Sequence, residues 1–457
     1  MPRSLTDVPG PKPLPVLGNL KPLKGDPLVF VTELSRTYGG LALFHVGPQK
    51  TLLISEPALI EQVLVKHRAV TVKDPITSEL SEVLGQGLLT AEGETWRQNR
   101  RLIAPSFQPR HLAALGETMV DCADRAQAGI SDGVRDAHHD MMGLTLEIAI
   151  RTIFGASPEG EVAQVGPLVE ELMFGFDQQV HTWRRLLPSW VPTKFRRAVG
   201  THRAALHVIV QDLIDRKRRE GLGDDLLSRL LEARDEEGKG MDDEQLRDEM
   251  LTLFLAGHET TALALSYALL LLARHPEAQA RAKAELDAVL GGALPTAGDS
   301  RRLPFVDAVF QESMRLYPPA WVIGRQATQD FLLRDPSGDA AEDVAVPAGT
   351  VMLMSPWAVH RDPRWYEAPL DFRPERWLEG RERPKFAFFP FGGGQRVCVG
   401  NHFARMEAVL VLARWLQAFE VRPVEGFELS LTASVTVRPD CGVQVEMVRR
   451  ESSRAVA

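Results

Sequence analysis

The sequence predicts a mainly α-helical protein with a smaller β-rich lobe, on three observations. From about residue 93 to 290, apolar positions recur at helical spacing almost without interruption. Inside that stretch, the run from Asp242 to about Arg274 is long enough for one helix of roughly 50 Å. Short β-like pieces lie at 41–54 and again after 319, punctuated by Pro and Gly. Both chain ends are therefore expected to build one lobe beside the helices, within a single domain spanning 1–457.

The lead-in, residues 1–25, is proline-rich over 8–20 and reads as irregular. Asp26 then caps a helix with Pro27 at its first position, running to about Tyr38 and stopping at Gly39-Gly40. Residues 41–46 and 51–54 flank Gly47-Pro48 as a hairpin. Ser55 or Glu56 with Pro57 opens the mostly helical part, about 56–318. Breaks are expected near Pro105 and Pro109 and over 155–160, 188–192 and 221–224. The long helix should begin at Asp242, with Asp243 and Glu244 in its first turn. Beyond Leu251 it is apolar on most sides, so it must cross the middle of the molecule. Strand-like pieces follow at 321–323, 331–333 and 351–354, which gives a β-rich lobe from about 40–55 and 319–360. Residues 361–390 carry many prolines and aromatics with little periodicity. A last amphipathic helix over about 401–419 and terminal strands complete the chain.

Composition narrows the function. Lys and Arg total 53 against 61 Asp and Glu, a net charge of −8, so nucleic-acid binding has no global basic field to draw on. The three cysteines, Cys122, Cys398 and Cys441, form no CxxC pair, which fits a reducing, cytoplasmic compartment. The first twenty residues contain neither a membrane-anchor run nor a secretory core, so no membrane anchor is expected.

Four segments carry chemistry. Residues 391–400 read FGGGQRVCVG, and their four glycines let backbone approach a flat ligand closely. Backbone N–H groups there, the helix starting near Asn401 and Arg396 could all stabilise a Cys398 thiolate. A buried structural cysteine in a glycine turn is the alternative. Residues 256–261 read AGHETT, with polar Glu259, Thr260 and Thr261 inside an apolar helix, where they are costly unless paired or hydrated. Thr260 can bond back to the carbonyl four residues earlier and open a groove beside Gly257. A solvated helix face is the alternative. Glu312 and Arg315 share a helix face, as do Trp96 and Arg100. Alone, the first pair could be a surface ion pair worth little.

Together these segments resemble the cytochrome P-450 family. FGGGQRVCVG matches its haem-binding loop at Phe391, Gly394, Arg396, Cys398 and Gly400, and the family's order of motifs is kept: WxxxR, AGxET, ExxR, PERW, cysteine loop. The resemblance covers almost the whole chain and implies a long central helix over a buried haem b. Cys398 would be the axial ligand, its thiolate pushing electron density onto the iron, with Phe391 beside the sulfur. Thr260 would steady bound dioxygen and Glu259 support proton delivery, with Ala256 and Gly257 against the haem face. Trp96, Arg100, Arg396 and Arg325 would hold the haem propionates. Glu312, Arg315 and Arg376 of PERW would form a buried triad behind the cysteine loop. His258 is expected to be structural, and Cys122 and Cys441 plain small residues.

The implied activity is insertion of one oxygen atom from O2 into an apolar small molecule: a fatty acid, a terpenoid or another lipid-like compound. A peroxide-driven hydroxylase, a haem isomerase or a non-catalytic haem sensor is the alternative, but such proteins have less use for the Glu259-Thr260 pair. Pocket-lining residues are expected among Val83, Leu84, Leu88, Phe254, Ala320, Trp321 and Val322. With no flavin or ferredoxin segment in 457 residues, electrons should come from NAD(P)H through separate proteins, an acidic ferredoxin or flavodoxin with its reductase. Segments 95–116 and 380–405 hold nine basic residues against one acid, Glu382, and would dock that carrier. The protein is expected to act as a monomer.

Overall fold

The computed structural model describes residues 2–157, 159, 163–180 and 194–451; the break expected at 188–192 lies outside them. The early elements follow from local chemistry. The Asp26 carboxylate accepts the N–H groups of Leu28 and Val29, Pro27 occupies the first turn, and helix Pro27–Tyr38 ends at Gly39 with φ 80°. Strands Leu41–Val46 and Gln49–Ile54 pair antiparallel across Gly47-Pro48.

The ends of the chain meet in a five-stranded sheet of order 41–46, 49–54, 351–354, 323–327, 71–72. The join is a parallel pairing of Thr51–Ile54 with Val351–Met354. The strand expected at 321–323 is instead Ile323–Ala327. Trp321 stays out of it because its indole N–H donates to the Ser434 carbonyl, 2.8 Å away.

Among the described residues, the helical stretch has an interruption that periodicity did not disclose. Gly133–Asp136 is a strand, paired with the C-terminal strand Gln444–Arg449. A four-residue strand bonded to sequence three hundred residues away leaves no local alternation to read. Val344–Val346, which pairs with Phe331–Leu333, also went unread.

The central helix runs from Asp243 to Arg274, with the Asp242 carboxylate accepting the Gln245 N–H. Its length and apolarity would suit a membrane span, but 83% of the relevant window is buried inside the protein. It packs against Ala137–Ala149, Pro304–Leu316 and Asn401–Ala418, and these helices share one large apolar core. Burying each leucine of that helix is worth about 1.5–3 kcal/mol relative to water, and here the covering surface is the protein's own.

Candidate active site

The central helix is buried at nearly every position from Leu246 to Ala273, and the exceptions are informative. Ala256, Gly257 and Thr260 keep accessible surface, and their spacing places them on one face. A methyl added to Gly257 would meet only Ile153, at 4.0 Å. The Thr260 hydroxyl donates to the Ala256 carbonyl at 2.6 Å, the expected back-bond. An open surface in the middle of a packed helix is an internal cleft.

The Glu259 side chain turns away from that face. It accepts hydrogen bonds from Thr436 (2.6 Å) and from Arg438 at both oxygens (2.6 and 2.8 Å). Burial alone would push its carboxyl up; the Arg438 and Thr436 bonds hold it below the usual carboxylate range. His258 is buried, bonded to the Met142 carbonyl at 3.1 Å and stacked on Phe254.

Cys398 lies deep in the protein, yet its side chain keeps open surface, so it faces a cleft rather than a packed core. The loop around it depends on glycine. A Cβ on Gly393 would lie 2.2 Å from the Phe386 ring, and one on Gly394 (φ 68°) 2.1 Å from the Leu64 carbonyl oxygen. The Cys398 N–H donates to the Phe391 carbonyl at 2.9 Å and closes the turn, while Phe391 itself packs on the main core. Burial pushes the thiol up; the Gly400 N–H and Arg100 oppose that shift. The cation acting on the sulfur is thus Arg100 rather than Arg396, whose guanidinium turns to the Ala91 carbonyl (2.8 Å), the Glu92 carboxylate and the face of Trp96.

Around that guanidinium the structure gathers unmatched positive charge. Neither Arg100 nor the Trp96 indole N–H has a hydrogen-bond partner among the described residues. Arg325 bonds only the adjacent Gly324 carbonyl. Lys73, which the sequence did not single out, is buried beside Arg396 and Arg325, and desolvation draws its ammonium down to about 7. Arg396 is drawn to about 10, first by burial. Among the described residues two carboxylates act on the group: Glu92, paired with Arg396, and Asp74, which also caps Ile76 and Thr77. Four cations around two acids are unfavourable unless further negative charge completes them. The two propionates of a haem would do so; the accessible Cys398 thiol would take its iron, and the open face at Ala256, Gly257 and Thr260 would leave room for its flat ring.

The buried triad is formed. Glu312 and Arg315 are fully buried and Arg376 is 3% exposed. Arg315 grips both Glu312 oxygens (2.8 and 2.9 Å) and Arg376 takes one at 2.8 Å. The Trp377 indole and the Arg373 N–H also donate to that carboxylate. The surplus positive charge is spread over the carbonyls of His360, Pro369 and Asp371. From there His360 accepts the Phe389 N–H at 2.9 Å, and Tyr366 donates to Ala387 at 2.9 Å, so the triad props the segment leading into the cysteine loop.

The expected pocket residues divide. Leu88, Ala320 and Val322 keep partial exposure, as residues beside an open cleft should. Val83, Leu84 and Phe254 are 2% exposed or less and Trp321 is 7% exposed, each packed in a core cluster. Those four lie among core side chains. Loop 85–90 is instead pinned to the central helix, with the Gln86 N–H on Asp248 (2.7 Å) and the Leu88 N–H on Glu249 (2.9 Å). Asn99 donates to Glu249 as well.

These residues would hold a haem, Cys398 through its iron and the cluster of cations through its two carboxylates, which is the arrangement of a haem-thiolate protein. The family model for cytochrome P-450 matches residues 8–447. Cyclooctatin synthase of Streptomyces melanosporofaciens is 34% identical over 437 residues, 93% of this chain and 93% of that protein. Pentalenene oxygenase of Streptomyces avermitilis is 34% identical over 442 residues, 95% and 92% of the two chains. Cyclooctat-9-en-7-ol 5-monooxygenase of Streptomyces melanosporofaciens is 33% identical over 425 residues, 92% and 90%. The chain belongs to the cytochrome P-450 family and is an oxidoreductase of the monooxygenase kind.

Proposed function

We propose that this enzyme adds one oxygen atom from O2 to an apolar terpenoid, in the cytoplasm, with electrons passed from NAD(P)H by a reductase and an acidic ferredoxin or flavodoxin. The observation that carries this reading is the accessible stripe of Ala256, Gly257 and Thr260 on an otherwise buried helix. It offers a small, nearly apolar face with one hydroxyl, suited to a hydrocarbon lying over a reacting centre. The names of two relatives carry a hydrocarbon, pentalenene, and a mono-alcohol, cyclooctat-9-en-7-ol, as expected of such a pocket.

Cys398 would hold the haem iron, and Trp96, Arg100, Arg325, Arg396 and Lys73 its propionates. The bound haem would supply dioxygen activation by electron donation from the thiolate. The residues around it do the rest. Leu88, Ala320 and Val322 exclude water and orient an apolar ligand. Thr260 holds a hydroxyl at the open face, and Glu259 holds an exchangeable proton site behind it. Difference spectra across a panel of terpenoids and fatty acids test the substrate class. Polycyclic terpenoid hydrocarbons and mono-alcohols should move the Soret band at micromolar concentration; a response confined to fatty acids would reverse the assignment.

A further inference from the structure

The acid of the central helix is held by a part of the chain that no sequence motif marks. Its partners Thr436 and Arg438 lie in and beside the C-terminal hairpin of strands Leu431–Ala433 and Val437–Pro439. The Arg438 side chain is 32% exposed and the Glu259 side chain 9%, so the ion pair sits where the interior meets solvent. The hairpin is tied to its surroundings by three further bonds. Trp321 donates its indole N–H to the Ser434 carbonyl at 2.8 Å. The Val437 N–H reaches the Pro319 carbonyl at 3.0 Å. Tyr267, two turns beyond Glu259, donates to the Val437 carbonyl at 2.8 Å.

We propose that Arg438 and Thr436 are positioning residues that hold the Glu259 carboxylate on the solvent side, and that their hairpin links this hold to segment 319–321 beside the pocket. The proposal rests on the reading of Glu259 as a proton site. With both oxygens engaged, the carboxylate cannot face the cleft, so each proton delivered inward requires the Arg438 pair to open. Other ionisable groups surround the pair: His138 and His139 from the helix opening at Ala137, Glu170 from Val165–Val180, and His258 on the central helix. Asp136 lies beside His138, and Asp440 is sensed with Glu259 at Tyr267. None of these is bonded to Glu259 among the described residues, so Arg438 sets its state.

Two measurements on the haem-loaded protein test this. Thermal unfolding is compared for Glu259→Gln, Arg438→Gln and the double variant; the double variant should lose less than the sum of the single losses. Oxygen consumption and its hydrogen peroxide fraction are then followed without added substrate over roughly pH 6 to 9, driven by a plant-type ferredoxin and its NADPH-dependent reductase. Arg438→Gln should shift the pH profile upward and change the rate about 10-fold, since burial then acts on Glu259 unopposed. Arg438→Lys should restore most of the parental profile, and Thr436→Val should give a smaller shift of the same sign. Additive thermal losses, or an Arg438→Gln profile superimposed on the parent's while Glu259→Gln differs, would overturn the proposal alone. An unchanged profile in Glu259→Gln overturns the underlying reading and the proposal with it.

Discussion

Glu312 has two guanidiniums on one carboxylate, with no water-accessible surface on either Glu312 or Arg315. Removing a partner from such a site leaves charge buried without compensation, which costs about 3–5 kcal/mol. Glu312→Gln should therefore lower stability by that amount in urea titration and yield protein poor in haem, while Arg373→Ala, which loses only side-chain contacts at the exposed rim, should not. Cys398→Ala should abolish the red-shifted Soret band of the reduced CO form; Cys122→Ala should retain it, because burial pushes that thiol up to about 12 and leaves it inert. Thr260→Ala should keep haem and ligand binding but divert most electrons to hydrogen peroxide, checked as the ratio of NAD(P)H consumed to product. Residues such as Cys398, Glu312 and Trp96 were legible because each sits in a short motif whose spacing has a local meaning. Lys73 and Arg438 were not, since each acquires its role only from charges brought in by distant segments. Pocket lining is hard to read for a related reason: apolar spacing shows which helix face is hydrophobic, not whether protein or ligand covers it.

The central helix shows how one element serves both stability and access. Asp248 and Glu249 reach sideways to fix loop 85–90, and the fit is close: a Cβ on Gly87 would lie 2.1 Å from the Thr252 hydroxyl. Burial pushes the Glu249 carboxyl up to about 8. Its folded-state value thus exceeds its ordinary 4.5, so the folded protein retains a proton that the unfolded chain has released. Stability should fall as pH rises from about 4.5 to about 8 and level off above. Glu249→Gln cannot ionise and should flatten that slope, its melting temperature matching the parent's at the acid end and exceeding it above pH 8. The helix itself was plain in the sequence, from the Asp242 cap to Arg274. Strand Gly133–Asp136 was hidden because its partner is the last strand of the chain.

Across the whole molecule, the net charge of −8 accompanies a local excess of cations over segments 95–116 and 380–405. Arg101 and Arg110 are exposed, whereas Arg97 is paired with Glu94, just outside the segment where no acid was counted, and Arg405 with Asp307. Arg101→Glu and Arg110→Glu should therefore slow reduction by an acidic ferredoxin about 10-fold at low salt, more than Arg97→Glu does. Added salt should slow the parent toward the same rate, read by stopped flow under CO with haem content matched. The lobe that joins the termini was foreseeable from composition at both ends, but its parallel join was not: two short apolar strands far apart in sequence do not announce their register.

Arg396 meets Glu92 across 304 residues of chain, and Gly394 closes on the carbonyl of Leu64. At ribosomal rates of about 5–20 residues per second, the early half of the site waits roughly 15–60 s for the later half. The cofactor is thus captured only by a finished polypeptide, and until then Lys73, Arg100 and an open apolar groove are left to chaperones. Nascent chains arrested short of residue 391 should emerge colourless even where haem is abundant, and should be cleared faster than full-length apoprotein.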